Sequence, residues 1–235
     1  AKPTPPSPRM DNFVLGTLSL ATMKKPEELL NAAWERGFYR FDLARTYGNG
    51  KSEQVFGNWL KTNMIDRSLV QLVTKGGMGE DRYGHADRQP CSLNMLRNEL
   101  EASLEALQTP KVDLYMYHRD DPRIPVPDFC DWMNELKNRD MIDQWGVSNW
   151  NWQRVQEACE YAKKNGLEPP RATSPQLSLA VPHGEVWPST HSVSCPSQQE
   201  EMDWYLQENI QVMGWESLAK GFMAAPNLWM QNEPT

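Results

Sequence analysis

The chain has 235 residues, room for one α/β barrel or two small domains, and 39% of them are hydrophobic, enough for a proper core. Lysine and arginine number 24 against 31 aspartates and glutamates. With a formal net charge of −7 and no basic cluster long enough to neutralise a row of phosphates, nucleic-acid binding is disfavoured and a small ligand is expected. No apolar run approaches the roughly 18 residues of a membrane span. Cys91, Cys130, Cys159 and Cys195 stand far apart with no His at ligand spacing. That disfavours a zinc site or a disulfide framework and fits a reducing compartment, the cytoplasm or an organelle stroma.

In chain order, residues 1–10 are proline-rich and read as a tail or linker, with one domain over 11–235. Val14 to Leu20 is a short strand candidate. A helix over 26–36 opens with Pro26, repeats apolar residues at Leu29, Leu30, Ala33 and Trp34, and stops at Gly37. Strands are then expected over 38–42, 69–75, 112–118, 143–148, 172–178 and 210–215. Helices are expected between them over 52–62, 92–108, 127–139, 151–165 and 197–208. Leu93, Leu96, Leu100, Leu104 and Leu107 make one apolar stripe along the 92–108 helix.

Strands alternating with helices imply a parallel sheet, either a barrel or a doubly wound fold. The doubly wound dinucleotide fold wants a Gly-rich turn after an early strand. Gly76-Gly77-Met78-Gly79 instead follows a later strand and runs into a charged loop. A (β/α)8 barrel is therefore preferred, incomplete after the seventh strand, because nothing between Gly221 and Thr235 reads as an eighth. Asp42, Lys75 and His118 stand at the C-terminal ends of three strand candidates, and Tyr47 lies in the loop after the first. In a parallel barrel those ends converge on one mouth, where catalysis takes place. Singly, each residue has a plainer reading as a strand-end polar group or a solvated surface charge.

The run Asp42-Leu43-Ala44-Arg45-Thr46-Tyr47-Gly48, followed by Ser52-Glu53 and Gly57, resembles the first signature of the aldo-keto reductases. Leu100 to Leu107, leading through Val112-Asp113-Leu114-Tyr115 to His118, resembles the second. Val73-Thr74-Lys75 and Gln144-Trp145-Gly146-Val147-Ser148-Asn149 are similar to two further motifs of that family, and together they span most of residues 13–221. The resemblance implies an aldo-keto-reductase-type barrel that transfers hydride from NADPH, with NADH as the alternative, to a small-molecule aldehyde or ketone. Tyr47 would be the general acid, Lys75 would lower its pKa, Asp42 would hold the lysine, and His118 would orient the carbonyl. Ser148, Asn149 and Gln176 would hold the nicotinamide carboxamide, Trp215 would stack on its ring, and Gly16 would bring backbone close. No metal is implied.

The chain departs from the pattern at Leu43, where a small hydroxyl residue is usual, at Pro175 in place of Asn, and at Glu216 in place of Ser. Trp187 and its loop, 179–196, are candidates for the substrate pocket, as βα loops carry specificity in barrels. The loop 76–91, with Arg82, Tyr83, His85 and Arg88, is a candidate cover for the mouth. The alternative function is a non-catalytic subunit or interaction module, with a protein partner covering the short C-terminal end.

Overall fold

The computed structural model describes residues 9–79 and 89–222. Seven parallel strands run β1 (Leu15–Gly16), β2 (Arg40–Asp42), β3 (Gln71–Gly76), β4 (Val112–Tyr117), β5 (Ile142–Ser148), β6 (Ala172–Ser174) and β7 (Gln211–Val212). They are hydrogen-bonded side by side in sequence order. Between them come α1 (Pro26–Glu35), α2 (Lys51–Thr62), α3 (Leu93–Leu107), α4 (Val126–Asn138), α5 (Trp152–Asn165) and α6 (Gln199–Gln207). One cavity is lined from both edge strands, by Gly16 and by Gln211 to Trp215, so the sheet curls as in an incomplete (β/α)8 barrel. Residues 223–235, in which no eighth strand is expected, and residues 1–8 of the tail lie outside the described residues.

Local sequence explains the helix ends. The Ser92 hydroxyl accepts from the Met95 N–H and opens α3, and the Asn151 side chain accepts from Gln153 N–H and opens α5. Gly166 adopts φ 68° to end α5, the left-handed turn that glycine takes without strain. Gly57 lets α2 lie directly on α3, since a Cβ there would come within 2.5 Å of the Ala106 carbonyl oxygen.

Strand side chains alternate between two cores. Phe41, Leu72, Tyr115, Tyr117, Trp145 and Val147 point outward into a large layer shared with the helices. Val73, Leu114, Met116 and Ala172 point inward and, with Met213, plug the barrel interior. Each large side chain taken from water here contributes about 1.5–3 kcal/mol.

Several strands are shorter than expected. β6 ends at Ser174 rather than 178, because Pro175 has no N–H to continue the ladder. The chain still runs alongside its neighbours, with Gln176 bridging both Ser192 and Trp215. β7 is two residues long, yet Met213 N–H donates to Thr173 O and Trp215 N–H to Pro175 O, which extends the alignment to Trp215. β1 is likewise two residues, since the backbone turns from Thr17 onward. The 197–208 helix opens with a 3-10 turn at Pro196–Gln198 before α6.

Candidate active site

The inward period of two that builds the plug also builds the site. Two residues beyond Val73 stands Lys75, beyond Met116 stands His118, beyond Ala172 stands Ser174, and beyond Met213 stands Trp215. Asp42 follows Arg40 in the same way. Beyond the apolar plug, therefore, a ring of polar and aromatic groups forms the mouth, which opens on a cavity of about 980 Å³. Asp42, Thr46, Tyr47, His118, Arg119, Trp187 and Trp215 all line it.

At the centre lies the Lys75 ammonium, 3% exposed. It donates to Asp42 Oδ1 at 2.5 Å, to the Leu43 carbonyl at 2.9 Å and to Tyr47 Oη at 3.2 Å. All three of its protons are thus used. Because Lys75 donates to the phenol oxygen, the phenol hydrogen points elsewhere, and no acceptor for it is found among the described residues. The Tyr47 and His118 rings meet edge to face, with centroids 5.8 Å apart.

The protonation states follow from burial and neighbouring charge. Burial pulls the Lys75 pKa down, but Asp42 and the Tyr47 phenol more than offset this and leave it raised. Burial raises the Tyr47 phenol above its ordinary value, and Lys75 pulls back only part of that rise. Lys75's own contribution to the Tyr47 pKa is thus downward, as expected, but the sum is upward because desolvation of the phenol outweighs it. Burial, reinforced by Lys75 and Arg119, holds His118 well below its ordinary value, so the ring is neutral at neutral pH.

A second buried ion pair supports the site from the outer face of the sheet. The Glu53 carboxylate, fully buried at the start of α2, accepts from Thr74 Oγ1 at 2.6 Å and pairs with Arg45 at 3.4 Å. Thr74 precedes Lys75, and Arg45 lies two residues before Tyr47, so Glu53 ties the two catalytic candidates' backbones to one helix.

The cofactor candidates divide. Gly16 and Trp215 line the cavity, and a side chain at position 16 would project into open space. Ser148, Asn149 and Gln176 are buried behind Trp215, and their polar atoms have partners within the chain. Asn149 Oδ1 accepts from Trp215 Nε1 at 3.2 Å, and Asn149 Nδ2 donates to Ser148 Oγ at 2.8 Å. Ser148 Oγ donates in turn to the Ser174 carbonyl. Gln176 Oε1 accepts from Ser192 and Ser194, and its Nε2 donates to Ser178.

At the rim, Trp187 Nε1 donates to Glu216 Oε1 at 3.2 Å, and Lys220 Nζ sits 4.4 Å from the Trp187 ring centroid. This clasp joins the loop after β6 to the segment after β7 and puts Trp187 on the pocket wall. Sequence reading passed over Thr46 and Arg119, which also line the cavity. Thr46 sits inside the first motif, and its hydroxyl next to Tyr47 was the one available signal. Arg82, Tyr83, His85 and Arg88 lie outside the described residues. Among the described residues no group of His, Cys, Asp and Glu is arranged to hold a metal ion, and no helix is long and apolar enough to cross a membrane.

Comparison with known proteins follows the same line. A Schizosaccharomyces pombe protein named for a voltage-gated potassium channel subunit beta is 33% identical over 153 residues, 63% of this chain and 43% of that protein. An Oryza sativa protein named likewise is 28% identical over 204 residues, 86% of this chain and 57% of that one. The chain thus spans about half the length of these curated relatives. Among solved structures, an aldo-keto reductase from Klebsiella pneumoniae in complex with NADPH superposes with TM-score 0.67 at 22% identity, covering 88% of this chain and 64% of that one. A structure of an aldo/keto reductase from Klebsiella pneumoniae in complex with NADP and acetate gives TM-score 0.68 at 22% identity, with coverage of 94% and 69%. At such identity the likeness carries the fold. The model of the Aldo/keto reductase family matches residues 12–232, and with motifs, barrel and mouth in agreement the chain belongs to the aldo/keto reductase family.

Proposed function

We propose that this chain reduces an aldehyde or ketone with a nicotinamide cofactor, NADPH in the first instance, and that Tyr47 supplies the proton. The observation that carries the reading is the Lys75 ammonium donating to both Asp42 and Tyr47, which with a neutral His118 line an open cavity. When bound, the reduced nicotinamide supplies a hydride to the carbonyl carbon. Tyr47 faces the cavity with its hydroxyl hydrogen free of any described acceptor, and so gives the proton to the carbonyl oxygen. As charge builds on the phenol oxygen, Lys75 stabilises it at 3.2 Å, and Asp42 keeps the ammonium in place. His118 fixes the direction of the carbonyl oxygen.

The residues present fit the nicotinamide end of such a cofactor. Trp215 offers an aromatic face whose tilt is fixed by Asn149, and Gly16 leaves the opposite approach clear. Ser148, Asn149 and Gln176 serve there mainly by holding that wall, and would have to exchange internal hydrogen bonds to reach a carboxamide. Calorimetric titration with NADPH and NADH tests the cofactor assignment. Saturable binding of one of them is expected, and absence of binding to both would remove the reading.

A second reading draws on the names of the relatives, channel β subunits. In it the chain is an interaction module of a larger assembly. Exposed Leu179, Leu218 and Phe222 on the rim would give it apolar contact area. Cofactor binding without turnover on any carbonyl would favour this reading.

A further inference from the structure

The imidazole of His118 has two nitrogens with different surroundings. Nδ1 lies 3.2 Å from Thr46 Oγ1. Nε2 has no hydrogen-bond partner among the described residues, and the residue lines the cavity. A neutral imidazole carries one hydrogen, so whichever nitrogen holds it decides whether the cavity meets a donor or a lone pair. The Thr46 hydroxyl has no other partner among the described residues. Its backbone is fixed within the turn, with the Thr46 carbonyl accepting from Asn49 N–H and the adjacent Tyr47 N–H donating to Ala44 O. A β-branched side chain on a fixed backbone holds its hydroxyl in few rotamers.

We propose that Thr46 is a positioning residue whose hydroxyl donates its hydrogen to Nδ1 of His118, locking the neutral ring as the Nε2–H tautomer and presenting a hydrogen-bond donor to the cavity. The reverse arrangement, Nδ1–H donating to Thr46, turns an Nε2 lone pair toward the place where a carbonyl oxygen must sit, and the two would repel. The inference rests on the reductase reading for its functional meaning, since a carbonyl oxygen needs a donor at that nitrogen. It also explains why one short turn carries both groups: Thr46 sets the ring that orients the oxygen, and Tyr47 protonates it.

The test is a two-bond proton–nitrogen correlation spectrum of the full chain labelled with nitrogen-15 in its histidines, with His118→Asn identifying the His118 signals among the four histidines. At neutral pH the wild type is expected to show Nε2 protonated and Nδ1 bearing the lone pair. Thr46→Val, which keeps the shape and removes the hydroxyl, shifts the balance toward the other tautomer, and Thr46→Ser restores it. In turnover, T46V is expected to lower kcat about tenfold with a smaller change in KM, and T46S to recover most of it. A wild-type ring protonated at Nδ1, or a tautomer unchanged in T46V, would overturn the inference. The spectrum needs no turnover. A tautomer set by Thr46 in a chain without reductase activity upholds this inference and sinks the reductase reading, whereas wild-type turnover with an unmoved tautomer does the opposite.

Discussion

Tyr47→Phe is expected to cut carbonyl turnover by about 10²–10⁴-fold, the usual worth of a positioned general acid, while leaving nicotinamide affinity nearly unchanged. The substitution removes one oxygen and leaves the ring, so the edge contact with His118 and the cavity wall survive. Lys75 loses one of three acceptors and keeps Asp42 and the Leu43 carbonyl. The pH profile of the wild type should carry the signature of the two shifted groups. Reduction needs the Tyr47 proton, and burial keeps that proton in place beyond the ordinary phenol value, so the alkaline fall comes late. In the proposed mechanism His118 acts as a neutral ring, and it takes a proton only well below its ordinary range, so the acid fall should come late too. Steady-state rates of both proteins across pH check this, and Tyr47→Phe turnover close to wild type would remove Tyr47 as the acid.

Asp42→Ala is expected to destabilise the fold by about 2–4 kcal/mol at neutral pH. Deleting one partner of a buried ion pair typically costs about 3–5 kcal/mol, because the other charge is left in low dielectric. The Asp42 side chain is 18% exposed, which lets water compensate part of the loss. Burial is the largest influence on Lys75 and acts downward, so without Asp42 its pKa should drop from its raised position. The sign follows. The native pair contributes fully below the unfolded lysine value and is lost as pH rises through the raised folded value. In Asp42→Ala the folded value is lower than in the wild type, so the deficit is large at neutral pH and narrows toward alkaline pH. Asp42→Ala with Lys75→Met removes the stranded charge and should regain more than half of the loss. Urea unfolding of the wild type, the two single variants Asp42→Ala and Lys75→Met, and the double variant measures all of this, and additive losses in the double variant would contradict a coupled pair.

The mouth was legible in the sequence because barrel geometry turns a two-residue period into a place. Val73 and Lys75, or Met116 and His118, are an apolar and a polar residue on the same face of one strand, and the change of character between them marks where the plug ends and the site begins. The helices were legible for a similar reason, as the α3 leucine stripe shows. Strand ends were less so. Pro175 carried a local signal that β6 stops, but the continuation through Gln176 depends on Ser192 from a distant part of the loop. The internal pairing of Gln176 was hidden likewise, since it needs Ser178, Ser192 and Ser194 brought together by the fold. Thr46 was missed because its partner is 72 residues away and its role depends on which way a turn faces.

The measurement that bears most directly on the central claim is deuteride transfer. The 235-residue chain is incubated with NADPH carrying deuterium at the transferable ring position and with aldehydes and ketones, para-nitrobenzaldehyde among them, and the products are read by mass spectrometry. The account predicts one deuterium in the product alcohol, formed by the wild type and nearly absent with Tyr47→Phe. NADPH bound by the wild type with no deuterium delivered to any carbonyl, or delivery unaffected by Tyr47→Phe, would contradict it.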